Sequence, residues 1–287
     1  MFHPDLRRAA SWLPRSSVSP RTLKAVRTLS GLAARRASED VEVHLVRSVP
    51  VRLHRPPTGE ELRPALLWIH GGGFVFGTAA QDDDLCRRFA RELGITVAAV
   101  DYRLAPEHPF PTPLHDCYDA FGWLAARADV DSTRVAIGGA SAGGGLAAAL
   151  ALLTRERGET RPVFQSLSYP MLDDRTAARD DIDGTDHRMW NNKANGFGWR
   201  SYTGCPPGST EVGELAAPAR HDDLSGLPPA WIGVGTVDLF HEEDLAYADR
   251  LEAAGVEREL VVSTEPSTGS TSPARGPESR GRSRPRG

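Results

Sequence analysis

The residues of this chain best suited to chemistry are a serine between glycines and an earlier glycine-rich loop. Ser141 stands in Gly139-Ala140-Ser141-Ala142-Gly143, and the loop is His70-Gly71-Gly72-Gly73-Phe74. Each motif follows an apolar run typical of a buried strand, and the Ala/Leu-rich run Leu146–Leu153 predicts a helix after the serine. Gly-x-Ser-x-Gly between a strand and a helix is typical of a nucleophile elbow, a tight turn that projects the serine hydroxyl from a sheet.

The glycine-rich loop supplies a second component of acyl-transfer chemistry. Its backbone N–H groups can stabilise the negative charge that develops on a carbonyl oxygen, and Ala142 offers another N–H group directly after the serine. Gly-x-Ser-x-Gly alone arises easily by chance in a chain with 28 glycines. The specific signal is therefore the pair of motifs, each after a strand. The alternative for Ser141, a helix N-cap serine, is disfavoured by the flanking glycines.

Strand and helix signals alternate around these motifs. Strands are predicted at Ala65–Ile69, Thr96–Asp101, Arg134–Ile137, Val163–Ser168, Ala230–Gly235 and Glu257–Val262, and helices at Asp82–Leu93, Leu114–Arg127, Ala142–Arg157 and Glu242–Ala254. This alternation predicts a mostly parallel sheet with helices on both faces. Before it, Val41–Leu53 alternates apolar and polar residues like a pair of edge strands, and Leu6–Arg36 predicts one or two short amphipathic helices.

Composition excludes several other classes of protein. With 287 residues and 40% hydrophobic side chains, the chain can bury a sizeable core, and its net charge of −4 argues against a nucleic-acid partner. Three widely spaced cysteines without a C-x-x-C pair indicate neither a disulfide framework nor a metal site. No apolar run is long enough for a membrane span and no signal peptide is recognisable, so we expect a cytoplasmic protein without a cofactor.

Four blocks together resemble the hormone-sensitive-lipase-like branch of the α/β-hydrolases, a family of small bacterial carboxylesterases. In family order they are LLWIHGGGFVFG, VAAVDYRLAPEHPFP, GGASAGG and GLPPAWIGVGTVDLF, and the match extends to Val262. The resemblance implies the α/β-hydrolase fold with a mostly parallel sheet and a helical cap. It also implies hydrolysis of small acyl or aryl esters through an acyl-enzyme.

The resemblance implies specific roles at the first site. Ser141 would be the nucleophile, and the N–H groups of Gly72 and Gly73 would join that of Ala142 in an oxyanion hole. His70 is expected to brace the backbone rather than take part in the chemistry. The remaining motif glycines are expected to be structural: Gly71, Gly139 and Gly143.

The carboxylate of the expected triad is Asp238, because the family carries its acid in this Val-Asp-Leu-Phe context after a strand and before the histidine. Asp244 is a weaker candidate, expected to be a solvated helix charge. Tyr102, Arg103 and Glu107 are expected to hold the loop beneath the site.

The histidine that the family places after the last strand has no counterpart in this chain. His241 is the last of nine histidines, and its position at the start of a predicted helix makes it a poor substitute. After Val262 the chain contains no histidine and no large apolar residue, which predicts disorder over residues 263–287. The five arginines of this tail could alternatively contact an acidic partner.

We favour a shifted reading frame over a functional tail, because it also explains the missing histidine. Reading the third base of each codon with the first two of the next permits Tyr-Gly-Ala-Phe-His-Gly-Phe-Asp over Ser263–Thr271. The histidine would be encoded across Ser267 and Thr268. That string is the family motif, although the degenerate codons permit other strings as well.

These observations predict a division of the chain into four parts. Residues 1–38 and the insertion 171–223 would form the cap, residues 39–170 and 224–262 the α/β core, and residues 263–287 a tail. Aromatic residues of the insertion (Trp190, Phe197, Trp199 and Tyr202) are expected mainly to pack it, each also being a candidate to line the substrate pocket.

Three functions stay open at this point. The first is an esterase impaired by the loss of its histidine, and the second is a non-catalytic small-molecule-binding protein on the same scaffold, as the histidine-lacking plant gibberellin receptors of this family suggest. A peptidase or amidase would share the site. Neither the particular ester nor the oligomeric state follows from the sequence.

Overall fold

A computed structural model describes residues 18–36, 41–57, 62–182 and 190–264. Within them the chain forms eight strands: β1 (Glu42–Val46), β2 (Val49–His54), β3 (Arg63–Ile69), β4 (Thr96–Val100), β5 (Val130–Ala140), β6 (Gln165–Ser168), β7 (Ala230–Gly235) and β8 (Arg258–Ser263). The α-helices are α1 (Leu23–Arg36), α2 (Asp83–Leu93), α3 (Thr112–Ala125), α4 (Ala142–Arg157), α5 (Asn192–Thr203) and α6 (His241–Ala253). Short 3₁₀ helices lie at Ala79–Asp82, Asp174–Ala178 and Pro218–Arg220.

All eight strands belong to one sheet, in the order β1-β2-β4-β3-β5-β6-β7-β8. Strand β2 runs antiparallel to both of its neighbours, and every other pair is parallel. The expectation of a mostly parallel sheet is therefore confirmed. Because parallel strands point their carboxyl ends to one edge, the turns after β3, β5, β6 and β7 gather there.

Both faces of the central strands are covered by helices. Leu67 and Ile69 of β3 pack in the main core with α3 and α4, whereas Leu66 and Trp68 pack with Cys86 of α2 in a second cluster. Successive side chains of a strand point to opposite faces. A strand segment covered on both faces must therefore be continuously apolar, as β3 is over residues 65–69.

On the sheet face that α2 covers, side chains become more exposed from the central strands toward β8. Trp231 of β7 is half-buried there, and Val261 of β8 is 39% exposed. Strand β8 contains no fully buried residue on either face. We call this part of the sheet, formed by Ser166, Ser168, Trp231, Gly233, Glu259 and Val261, the open face.

The described part of the insertion contains α5 and two 3₁₀ turns and no strand. The buried Asp174 connects distant parts of the insertion. Its carboxylate accepts two hydrogen bonds from Arg220 and a third from the backbone N–H of Gly208. The predicted cap residues 1–17, 37–38 and 183–189, and the tail beyond residue 264, lie outside the described residues.

None of the helices among the described residues combines the length and apolarity that crossing a bilayer requires.

Candidate active site

Ser141 lies at the sharp turn between β5 and α4. Its backbone dihedrals are φ 55° and ψ −122°, a conformation that a residue with a side chain rarely adopts. Neighbouring segments hold it there, because its N–H donates to the Ser168 carbonyl (2.9 Å) and its carbonyl accepts from the Met171 N–H (3.0 Å). Backbone strain of this kind persists only where the surroundings impose it, and it is typical of functional sites.

The turn depends on glycines at two positions beside the serine. A Cβ at Gly139 would lie 2.5 Å from backbone atoms of Gly143 and 2.6 Å from the Ile69 carbonyl oxygen. A Cβ at Gly143 would overlap that same carbonyl. The first turn of α4 can therefore approach β3 this closely only without side chains at these positions.

The glycine-rich loop after β3 lies directly against the serine. A Cβ at Gly71 would be 3.4 Å from the Ser141 Cβ. Gly72 (φ 126°) and Gly73 (φ 56°) turn the chain back, and the Gly72 carbonyl accepts from the N–H groups of Val75 and Phe76, both at 3.0 Å.

The N–H groups at this turn are available to a ligand. Among the described residues, no acceptor pairs with the N–H of Gly72 or Gly73. Ala142 is the first residue of α4, where helix N–H groups have no partner within the helix. The arrangement can therefore donate hydrogen bonds to an oxygen that becomes negatively charged beside Ser141.

His70 contacts the backbone beneath the loop. It is buried, its Nδ1 lies 2.8 Å from the Gly71 carbonyl oxygen, and its ring stacks on Tyr102 at 4.2 Å between centroids. The Tyr102 hydroxyl donates to the His70 carbonyl (3.1 Å). Burial lowers the pKa of His70, so the ring is held in its neutral form as a bracing group.

Two ion pairs anchor the loop that follows β4. Arg103 forms a bidentate pair with Asp116 of α3, and Arg27 of α1 pairs with Glu107 while also donating to the carbonyl of Ala105. These contacts are of the structural kind expected from the sequence.

Asp238 lies in the turn between β7 and α6, at the same edge of the sheet as Ser141. Its Oδ1 accepts a hydrogen bond from the Phe240 N–H (3.0 Å), and its carbonyl accepts from the His241 N–H (3.3 Å). His241 is the first residue of α6. Within the described parts of the chain, no side chain hydrogen-bonds the Ser141 hydroxyl.

The expectation that Asp244 is a solvated helix charge is wrong. Asp244 is completely buried, and neither carboxylate oxygen has a hydrogen-bond partner among the described residues. Burial, with the charges of Glu243 and Asp238 beside it, raises its pKa well above the ordinary range. Helical periodicity predicts only which residues share a face. Glu243, beside it in the first turn of α6, accepts hydrogen bonds from the N–H groups of Leu172 and Asp173, so the environment of this turn depends on residues far away in sequence.

Tyr169 is a site residue that sequence reasoning missed. It directly follows β6, has φ 38°, and donates its N–H to the Gly233 carbonyl (2.6 Å). Burial, together with the negative charges of Asp82 and Asp238, raises its pKa to about 12, so its hydroxyl stays protonated at neutral pH. Its position at the carboxyl end of a parallel strand is the signal that could have found it.

No group of three histidine, cysteine, aspartate or glutamate side chains that could hold a metal ion occurs among the described residues.

The chain matches a family model described as "alpha/beta hydrolase fold" over residues 66–266. It is 35% identical to esterase LipI of Mycobacterium tuberculosis over 222 residues, which are 74% of this chain and 68% of the relative. Ethyl acetate hydrolase of Pseudomonas putida is 34% identical over 223 residues, 75% of this chain and 69% of the relative.

Solved structures agree with these sequence matches. A bacterial heroin esterase superposes with a TM-score of 0.80 at 37% identity, covering 91% of this chain and 88% of the esterase. An esterase from the bacterial hormone-sensitive lipase family gives 0.76 at 30% identity, covering 92% and 89%.

Strand order, the serine turn and the glycine-rich loop define an α/β-hydrolase with esterase relatives. Within that fold, the chain belongs to the hormone-sensitive-lipase-like carboxylesterase family, and by family it is a hydrolase.

Proposed function

We propose that this chain carries the site of a serine carboxylic-ester hydrolase for small acyl or aryl esters, with Ser141 as nucleophile. The observation that carries the proposal is the forced backbone of Ser141 directly against the Gly71–Gly73 loop. A serine held this way beside unpaired N–H groups suits attack on a carbonyl whose oxygen is stabilised as it becomes negative.

The reaction would pass through an acyl-enzyme. The Ser141 Oγ attacks the ester carbonyl carbon, and the N–H groups of Gly72, Gly73 and Ala142 stabilise the resulting oxyanion. Collapse of this intermediate expels the alcohol, and water then releases the acid. Asp238 would orient a histidine that takes the serine proton and returns it to the leaving alcohol.

That histidine is what the chain lacks, and we propose that its catalysis is impaired for this reason. Without a base the serine hydroxyl keeps its proton at neutral pH and is a weak nucleophile. Loss of the histidine in a comparable serine hydrolase lowers turnover on the order of a million-fold, and the oxyanion hole preserves a residual rate roughly a thousandfold above that in water.

The reading frame after Val262 is the first test. We propose that the shifted frame encodes the lost histidine across Ser267 and Thr268, so the nucleotide sequence of the locus decides the matter. Stop codons in that frame, or another residue at that position, would contradict the hypothesis.

Turnover is the second test. A chain restored to Tyr-Gly-Ala-Phe-His-Gly-Phe after Val262 should hydrolyse p-nitrophenyl acetate, whereas the chain as it stands should show almost no turnover. Ser141→Ala in the restored chain should abolish turnover, and Ser166→Ala, on the open face, is the matched control that should retain it. Robust turnover by the unrestored chain, abolished by His241→Ala, would show that the base is misassigned.

A second candidate is a non-catalytic protein that binds small molecules in the same pocket. The observation in its favour is that no side chain among the described residues hydrogen-bonds the Ser141 hydroxyl. Tight binding of a carboxylic ester that is recovered intact, with a restored chain that is also inactive, would favour this function over the esterase.

A further inference from the structure

Aromatic residues of the insertion divide into two groups in the structure. Trp199 and Tyr202 of α5 are completely buried, and both pack on Phe74, which follows the glycine-rich loop. Tyr202 stacks on Phe74 at 4.0 Å between centroids, and Trp199 lies 5.2 Å away in a tilted arrangement. These two residues anchor α5 to the core and are not accessible to a substrate.

Trp190 is placed differently. It is half-buried, and the benzo edge of its indole lies on Gly73, so closely that a Cβ at Gly73 would overlap the ring. Gly198 of α5 forms the other side of this slot, since a Cβ there would lie 3.2 Å from the same edge of the ring. Two glycines thus make room for one indole against the glycine-rich loop.

The loop connects this indole to the nucleophile. Gly71, at one end of the three-glycine turn, contacts Ser141, and Gly73, at the other end, contacts Trp190. An ester whose carbonyl oxygen receives hydrogen bonds from this turn must place one of its two substituents near the ring. The indole Nε1 is buried and has no acceptor among the described residues, although a buried tryptophan N–H usually finds one.

We propose that Trp190 determines substrate size: its indole forms a wall over the glycine-rich loop and limits the bulk of the ester substituent that lies against it. This inference rests on the proposed function, because it assigns the specificity of that same site. The rigid ring restricts the pocket by occupying volume, and a smaller side chain would open a space into which a longer or branched substituent can extend.

Equilibrium binding tests the inference without requiring turnover. The full chain is titrated with two series of uncharged amide isosteres of esters, anilides from acetyl to octanoyl and N-alkyl acetamides from ethyl to octyl, using calorimetry. The native chain should bind the short members and lose affinity for the long members of one series. Trp190→Ala should raise affinity for those long members about tenfold or more, which corresponds to roughly 1.4 kcal/mol.

Trp190→Phe and Trp123→Ala are the comparison variants. Phenylalanine keeps a smaller ring without the N–H, so its size profile should lie between those of the native chain and Trp190→Ala. Trp123 is also half-buried but lies on α3 against His44 and Arg127, and its removal should leave the profile unchanged.

Three results would overturn the inference: unchanged size profiles in both series for the Trp190 variants, an equal loss of affinity for every member, or no binding by the native chain. A changed profile in the anilide series would place the acyl group against the indole, and a changed profile in the N-alkyl acetamide series would place the alcohol group there. Trp190→Phe decides the question if the alanine variant does not fold. If the restored chain is inactive but the Trp190 variants still change the size profile of binding, the esterase proposal is rejected and the role of Trp190 in limiting ligand size stands.

Discussion

The serine turn shows how single residues set this site. Ser141 adopts a left-handed backbone conformation only because Gly139 and Gly143 allow β5, β3 and α4 to come into backbone contact. Side chains at these glycines would push α4 away from β3, which would move the nucleophile relative to the loop that faces it.

Gly143→Ala should therefore destabilise the protein by about 2–4 kcal/mol, because its Cβ would overlap a carbonyl oxygen that belongs to a central strand. Gly122→Ala is the matched control, an exposed position inside α3 with no atom near the new Cβ. It should stabilise the protein by about 0.5–1 kcal/mol through helix propensity. Urea unfolding measures both, and equal effects would contradict this account of the turn.

Helix α6 connects the proposed acid to the segment that holds the nucleophile. Glu243 in its first turn accepts hydrogen bonds from the N–H groups of Leu172 (2.8 Å) and Asp173 (3.2 Å). The preceding residue, Met171, donates to the Ser141 carbonyl. The turn that carries Asp238 is thereby tied to the Ser141 elbow through a buried carboxyl group.

Burial raises the pKa of Glu243 from 4.5 to about 8. Between these values the folded protein holds a proton that the unfolded chain has released, so stability should fall as pH rises, by up to about 1.4 kcal/mol per pH unit. Glu243→Gln keeps both hydrogen bonds and should remove this contribution. The buried Asp244 would continue to contribute with the same sign.

Glu242→Gln is the control on the same helix. Glu242 is exposed and paired with Arg179, so its substitution should leave the pH dependence unchanged. Denaturant unfolding between pH 5 and pH 8 compares the three proteins. An identical slope for the native chain and Glu243→Gln would show that Glu243 does not titrate as the structure indicates.

At the scale of the whole molecule, the sheet is covered unevenly. Helix α2 covers one face at β4 and β3, and exposure of that face rises toward β8, where Val261 is open to solvent. The apolar residues of the open face are the half-buried Trp231 and the exposed Val261. Exposed apolar side chains beside an edge strand form a surface through which proteins associate.

The chain should accordingly self-associate as its concentration rises, and Val261→Lys should weaken this association by placing a charge on the open face. Val262→Lys places the same charge on the opposite face of β8, where Val262 is equally exposed, and should have a smaller effect. Sedimentation velocity measures the association. Equal effects would assign it to the strand edge, and a monomeric native chain at high concentration would refute the prediction.

The resemblance of four sequence blocks was enough to indicate the family, and short-range sequence features were enough to predict the strand–serine–helix turn and the alternation of strands and helices. These features depend on contacts between residues close in the chain: glycines that permit positive φ, apolar runs that form strands, and a helix that follows directly. Composition likewise predicted that residues 263–287 contain no apolar segment suited to packing on a sheet.

Only the tertiary structure decided which groups meet across the fold. The burial of Asp244 and Glu243 and the separation of Trp190 from the buried Trp199 and Tyr202 arise between segments far apart in sequence. The same is true of the effect of Asp82 and Asp238 on the pKa of Tyr169. Periodicity along one element indicates which side chains share a face. The segment that covers that face depends on how the strands are ordered in the sheet, and so the environment of each buried group appears only when the chain is folded.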